Sequence, residues 1–256
     1  MTLVKTVFDH TGSPDTMPPD FDNTAPPSSS LKAPPVAWQN LSGLQPYMPI
    51  VESMGAHNAA IRAGTAPEAV WLLEHAAVYT GGTSTQDADL LVPDASIPAH
   101  RTGRGGQWTY HGPGQRIAYV MLDLAARGGD IRAYVAALEG WIIDIIGAFG
   151  IVGVRRAGLP GIWVHTGNSP SGYDKIAAIG VRVSRWVTWH GIAINLAPDL
   201  AAFDAIVPCG VTDAGVTSLH ALGQHITYDQ LDDAMRAHFD THFGDNSPLA
   251  YRPKPA

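Results

Sequence analysis

The chain has 256 residues, 45% of them hydrophobic and 15% charged, a composition that suits one sizeable globular domain with a substantial core. Its net charge of −7 argues against a general nucleic-acid binder, which needs a dominant basic surface. A single cysteine, Cys209, excludes an intramolecular disulfide, and no stretch approaches the ~20 apolar residues that span a bilayer. Residues Met1 to Asp20 lack the apolar run of a secretory signal, so a cytoplasmic protein without a membrane partner is expected.

In chain order, residues 1–35 read as a proline-rich flexible leader, with too few apolar residues to bury, and residues 36–256 as the folded domain. Pro46 to Gly64 reads as a helix, with Ile50, Met54, His57 and Ile61 on one face. Val70 to Thr80 reads as one strand closed by a turn at Gly81-Gly82. Arg104 to Gly114 is too rich in glycine for regular structure, and Ile117 to Leu124 reads as a buried strand. Asp130 caps a helix carrying Ile131, Tyr134, Val135, Leu138, Ile142, Ile145, Ile146 and Phe149, ended by Gly150. Ile176–Val183 and Val187–Leu196 read as strands of a hairpin with an arginine-bearing link. Thr227 and Gln230 form a capping box ahead of Leu231, Met235 and Phe239. Helices and strands mix without regular βαβ alternation, so the expected class is α+β.

Two side chains stand out chemically. Cys209 lies in Ile206-Val207-Pro208-Cys209-Gly210-Val211, and Lys175 is the one lysine between Lys32 and Lys254. The thiolate is the reactive form of cysteine, and a nearby cation or base raises its fraction at neutral pH. Burial makes an amine easier to deprotonate, which suits a lysine beside apolar Ile176 and Ile179 for exchanging protons with a thiol. The isolated pair is read as nucleophile and activator. On composition alone, a small buried thiol and an edge lysine remain open readings.

The segment Arg104-Gly105-Gly106-Gln107-Trp108-Thr109-Tyr110-His111-Gly112-Pro113-Gly114-Gln115 combines glycines that admit close backbone approach with several side-chain donors. It matches neither a P-loop nor a dinucleotide fingerprint. It resembles the signature of the lipoyl(octanoyl) transferases. Further blocks follow in family order: Leu73-Glu74-His75 through Val78-Tyr79-Thr80, Gly158 to Val164, Lys175 to Gly180, Thr188 to Asn195, Pro208-Cys209-Gly210, and Gly215 to Leu219.

The resemblance implies a single domain with a mixed β-sheet flanked by helices, in the biotin/lipoate protein ligase fold. It implies transfer of an octanoyl group from octanoyl-acyl carrier protein to a lysine of a lipoyl domain. The acceptors it implies are the acyltransferase subunits of 2-oxoacid dehydrogenase complexes and the glycine-cleavage H protein. It assigns Cys209 as nucleophile and Lys175 as its activator and second-step proton acceptor. The substrate would be contacted by Arg104, Gly105, Gly106, Gln107, Trp108, Thr109, Tyr110, His111, Ala178, Ile179, Gly180, Gly191, Ile192 and Ala193. Backbone N–H groups near Ile179–Gly180 or Cys209–Gly210 would hold the oxyanion.

Pro160, the bulky Trp108, Trp186 and Trp189, and the insertion His165 to Asp174, expected to be mobile, depart from the family pattern. No cofactor is expected. A metal is rejected because no short-spaced ligand pair of the His-Glu-x-x-His kind occurs. An ATP-dependent lipoate or biotin ligase is the competing enzyme, and a non-catalytic module binding acyl carrier or lipoyl domains is the competing class. The arginines Arg101, Arg104 and Arg116, with Arg155, Arg156, Arg182 and Arg185, form two sequence clusters suited to acidic partners.

Overall fold

The computed structural model describes residues 35–91, 96–207 and 213–252. The chain runs β1 (Ala37–Gln45), α1 (Tyr47–Arg62), β2 (Ala69–His75), β3 (Val78–Gly81), β4 (Ala99–Arg101), β5 (Trp108–His111) and β6 (Gln115–Met121). It continues through α2 (Ile131–Gly147), β7 (Val154–Arg156), β8 (Leu159–His165), β9 (Tyr173–Ser184), β10 (Val187–Asn195), β11 (Gly215–Val216) and α3 (Tyr228–Phe243).

Alternation along the central strands explains the layering. Val70, Leu72, Ala118 and Val120 belong to one core with Leu138, Trp141, Ile142 and Ile145 of α2 and Leu231, Met235 and Phe239 of α3. Their neighbours Trp71, Leu73, Ile117, Tyr119 and Met121 belong to a second core with Ile50, Met54 and Ile61 of α1. Successive strand residues point to opposite faces, so a sheet apolar on both faces is covered on both. The strand order is β1-β2-β6-β10-β9-β8-β7, with β11 beside β9. The β1–β2 and β11–β9 pairs are parallel and the others antiparallel, so the sheet is mixed and the α+β expectation is met. A smaller sheet, β4-β3-β5, stands apart. Among the described residues no helix is long and apolar enough to cross a membrane.

Buried ion pairs tie the layers together. Arg116 of β6 meets Asp232 of α3 through two hydrogen bonds of 2.6 Å. Arg127 donates to Glu68 and to the carbonyls of Phe243 and Leu249. Removing one partner of such a pair would leave an uncompensated buried charge.

Several elements differ from the sequence reading. The expected strand from Val70 to Thr80 is two strands in two sheets, parted at Ala76-Ala77. The glycine-rich stretch contains a regular strand, β5, because Trp108 to His111 pairs antiparallel with β3. On α1 the buried stripe passes through Asn58, which donates to the Thr188 carbonyl, and His57 lies only partly buried beside it. Helix α2 ends at Gly147, with Gly150 just beyond at φ +78°. Its expected stripe residue Ile131 is 44% exposed, and Trp141 is fully buried instead. The Asp130 cap is present, its carboxylate accepting from the N–H groups of Arg132 and Ala133. The capping box of Thr227 and Gln230 is present too. The β9–β10 hairpin turns through Arg185 and Trp186, both with positive φ.

Candidate active site

Strand β9 builds the site because its outer edge has two tenants. Pairing with β8 runs from His165↔Tyr173 to Ile162↔Ala177 and then stops. Beyond it the glycine-rich loop takes the edge, with Gly105 N–H donating to the Val181 carbonyl at 2.9 Å. Arg104 staples that loop. It is 6% exposed and donates to the Thr80 hydroxyl at 2.9 Å, to the Gln107 carbonyl at 2.9 Å and to the Thr80 carbonyl. The absence of a side chain at Gly180 makes room, since a Cβ there would lie 3.0 Å from Arg104 Cδ.

Across the sheet, Gly191 of β10 lies opposite Gly180 and Tyr119. A Cβ at Gly191 would collide with the Ala118 carbonyl, so only glycine lets β10 and β6 approach here. His190, just before it, adopts φ +60° and donates its backbone N–H to Met54 Sδ at 3.1 Å.

These segments border a cleft that opens to solvent. Of the residues expected at the substrate, Arg104, Gly106, Gln107, Trp108, Thr109 and His111 border it, as do Ala178, Ile179, Gly180, Gly191, Ile192 and Ala193. Gly105 and Tyr110 do not line it. Gly105 serves the β9 edge, and Tyr110 packs behind the wall against Tyr79 and Phe203. Trp108 borders the cleft, whereas Trp189 covers Gly55 of α1 and Trp186 lies 47% exposed at the hairpin.

Lys175 borders the same cleft and is 6% exposed. Its Nζ donates to the Pro160 carbonyl at 2.9 Å and lies over the Trp163 ring, 4.7 Å from the centroid. Pro160, at the departure from the family pattern, therefore contributes through its carbonyl, which any residue would supply. Val216 pairs with Lys175, and the Thr217 N–H donates to the Lys175 carbonyl at 2.9 Å. Cys209, and with it the Cys209–Gly210 oxyanion candidate, lies outside the described residues. The expected leader, residues 1–35, does so too except for Pro35.

The insertion His165 to Asp174 carries its own hydrogen bonds. Thr166 Oγ1 donates to Asp174 at 2.5 Å, Gly172 N–H to the Ser169 carbonyl at 2.8 Å, and Ser171 N–H to the Asp213 carbonyl at 2.8 Å.

Tyr47, Gln115, Tyr119, Asn195, Phe203 and Val216 also border the cleft, none of them among the expected substrate contacts. Gln115 and Asn195 close two of the quoted blocks and Val216 lies inside a third, the one signal available. His75 and His190 pack against Tyr119, and His111 packs against His75. Burial lowers His75 to about 4 against the effect of its bond to the Gln45 carbonyl, and lowers His190 to about 3 with help from Arg104. Burial, then His75 and Arg104, hold His111 well below the usual imidazole range. Burial raises Tyr119 well above the usual phenol range. The site is thus a cleft of neutral rings around a buried guanidinium and a lysine.

The two arginine clusters dissolve on folding. Arg101 pairs with Asp87, Arg104 and Arg116 are buried, Arg155 pairs with Glu139, and Arg156 lies over Trp163 and Tyr173. Arg182 and Arg185 are exposed, Arg182 against Gly103 and Arg185 in the β9–β10 turn.

Residues 54–240 match the family model of the lipoyl protein ligase A/B catalytic domain. An octanoyltransferase of Caulobacter vibrioides is 54% identical over 213 residues, covering 83% of this chain and 94% of the relative. One from Acidiphilium cryptum is 55% identical over 214 residues, covering 81% and 92%. Among solved structures, an archaeal bipartite lipoate protein ligase from Thermoplasma acidophilum superposes with TM-score 0.61 at 16% identity, covering 81% of this chain and 83% of that one. A lipoate-protein ligase A bound with ATP gives TM-score 0.60 at 16% identity, covering 86% and 89%. At such identity these structures establish the shared fold.

Proposed function

The chain belongs to the octanoyltransferases of the lipoyl protein ligase A/B catalytic-domain family, and on that premise we propose that Cys209 and Lys175 form the dyad that carries its acyl transfer. It is an acyltransferase that moves an octanoyl group in protein lipoylation. The donor in this reading is octanoyl-acyl carrier protein, and the acceptors are lipoyl domains of 2-oxoacid dehydrogenase complexes and the glycine-cleavage H protein. The catalytic domain spans residues 36–256.

The placement of Lys175 carries the proposal: a buried lysine on the wall of an open cleft floored by small residues and the glycine-rich loop. The flanks of the 208–212 segment support it, since Phe203 before it and Val216 after it border that same cleft. Val207 N–H is anchored to the Asp89 carbonyl, and one residue, Pro208, separates it from Cys209.

In the first half-reaction the Cys209 thiolate, supported by Lys175, attacks the donor thioester carbonyl. The carrier sulfur leaves with its electron pair and is protonated. In the second, the acceptor lysine amine attacks the octanoyl-enzyme, forming a C–N bond as the C–Sγ bond breaks. Backbone N–H groups at Ile179–Gly180 or Cys209–Gly210 stabilise both oxyanions. Apolar contacts in the cleft, at ~0.8 kcal/mol per buried methylene, select for an eight-carbon chain. Exposed Arg182 and Arg185 meet the acidic carrier and acceptor domains.

Incubation with octanoyl-acyl carrier protein and a lipoyl domain, with ATP omitted, tests the reading. Octanoylated lipoyl domain is the expected product. Modification that requires ATP and a free fatty acid would instead identify a ligase. Binding without transfer would identify a recognition module.

A further inference from the structure

Trp163 of β8 carries a cation from each neighbouring strand. Lys175 Nζ of β9 lies 4.7 Å from its ring centroid, and the Arg156 guanidinium of β7 lies 4.9 Å from it. The two cations therefore stand no more than about two strand spacings apart, ~10 Å. Lys175 is buried at the cleft wall, whereas Arg156 is half-buried on the last strand of the sheet.

Arg156 is held in place without being neutralised. A second ring, Tyr173, lies 5.6 Å from its guanidinium, and His165 packs edge-on against Tyr173 at 5.2 Å. Trp163 is itself fixed, 2% exposed and donating Nε1–H to the Leu159 carbonyl at 3.2 Å. Ring contacts of this kind orient a guanidinium while leaving its N–H groups open to a partner. The one hydrogen bond Arg156 makes among the described residues is a long one, 3.4 Å to Ser171 Oγ. It has no carboxylate partner among them, unlike its neighbour Arg155, which pairs with Glu139. The nearby Asp174 is taken up by the Thr166 hydroxyl and the Gly215 N–H. Tyr173 and Ser171 both come from the insertion His165 to Asp174, so the segment that departs from the family pattern is what holds this cation.

We propose that Arg156 recognises the acceptor, pairing with a carboxylate beside the lysine that receives the octanoyl group. Distance selects the acceptor over the donor. The acceptor amine ends a four-carbon stem, so an acidic side chain next to that lysine can reach Arg156 while the amine is near Lys175. The donor carbonyl sits instead at the tip of a long pantetheine arm, whose nearest charge is a phosphate many bonds away. A planar guanidinium takes both carboxylate oxygens at once, and the two rings have already removed most of its freedom. The proposal rests on the lipoyl-domain acceptor reading above.

The test uses the full chain, octanoyl-acyl carrier protein, and a lipoyl domain with an aspartate beside its acceptor lysine. Each half-reaction is followed by intact mass. In Arg156→Gln, the domain concentration giving half-maximal transfer from the acyl-enzyme should rise about tenfold, while acyl-enzyme formation changes less than about twofold. Replacing the domain's aspartate by asparagine should cause the same rise with the unaltered enzyme and no further rise with Arg156→Gln. Arg156→Glu should regain part of the loss when that aspartate is replaced by lysine. Additive losses, no loss, or equal slowing of acyl-enzyme formation would overturn the proposal, the last by showing that Arg156 acts through Trp163 on Lys175. Should Arg156→Gln fail to fold, the asparagine domain still decides, since unchanged half-saturation of the unaltered enzyme would overturn the proposal. No octanoyl adduct on the unaltered enzyme would instead sink the acyl-enzyme reading, and the proposal with it.

Discussion

Gly161 shows how closely Lys175 is held. Its φ is +109°, and a Cβ there would lie 3.2 Å from Lys175 Cε, 3.4 Å from Nζ and 2.5 Å from the Ala177 carbonyl. The backbone contact cannot yield as a flexible side chain would. Gly161→Ala should therefore strain the backbone by about 1–2 kcal/mol and displace the amine from Pro160 and Trp163. Octanoyl transfer is expected to fall at least tenfold; unaltered turnover would show that the position of Lys175 is not required. The solitary Lys175 and Cys209 were conspicuous in the sequence because each is isolated in kind. Gln115 and Asn195 were not, because they are ordinary strand residues. Only the juxtaposition of β6, β10 and the residues after β11 joins them in one hydrogen-bonded chain.

Elements whose ends carry a local chemical signal were legible; those decided by tertiary pairing were not. Thr227 and Gln230 signal α3, and both halves of the box form. Thr227→Ala should cost about 1 kcal/mol, read as a lower urea midpoint with unchanged slope. No loss would mean the cap contributes nothing beyond solvent. The break between β2 and β3 carries no glycine or proline, only Ala76-Ala77, so an apolar run concealed a change of sheet. Strand β5 was hidden in the reverse way, its pairing with β3 overriding the glycines around it. The arginine clusters misled because sequence proximity says nothing of the carboxylates that Asp87, Glu139 and Asp232 bring from elsewhere.

For the molecule as a whole, the buried neutral histidines set a pH limit. His75 and His190 titrate at about 4 and about 3 when folded, against ~6.5 for an unfolded imidazole. Above ~6.5 both states are neutral and stability is full. As pH falls below that value the unfolded chain takes up protons that the native one refuses. Stability should then drop by about 1.4 kcal/mol per pH unit for each histidine, until the folded values are reached. Urea denaturation at pH 7 and pH 5 should show this loss, with a shallower dependence in His75→Gln. A flat profile would contradict the burial argument.

The covalent intermediate is the centre of the account, and intact mass spectrometry after mixing with octanoyl-acyl carrier protein tests it most directly. The expected result is one octanoyl group on the enzyme, mapped to Cys209, lost on adding a lipoyl domain and absent from Cys209→Ala. Undiminished transfer to the lipoyl domain by Cys209→Ala, or an adduct on any other side chain, would contradict it.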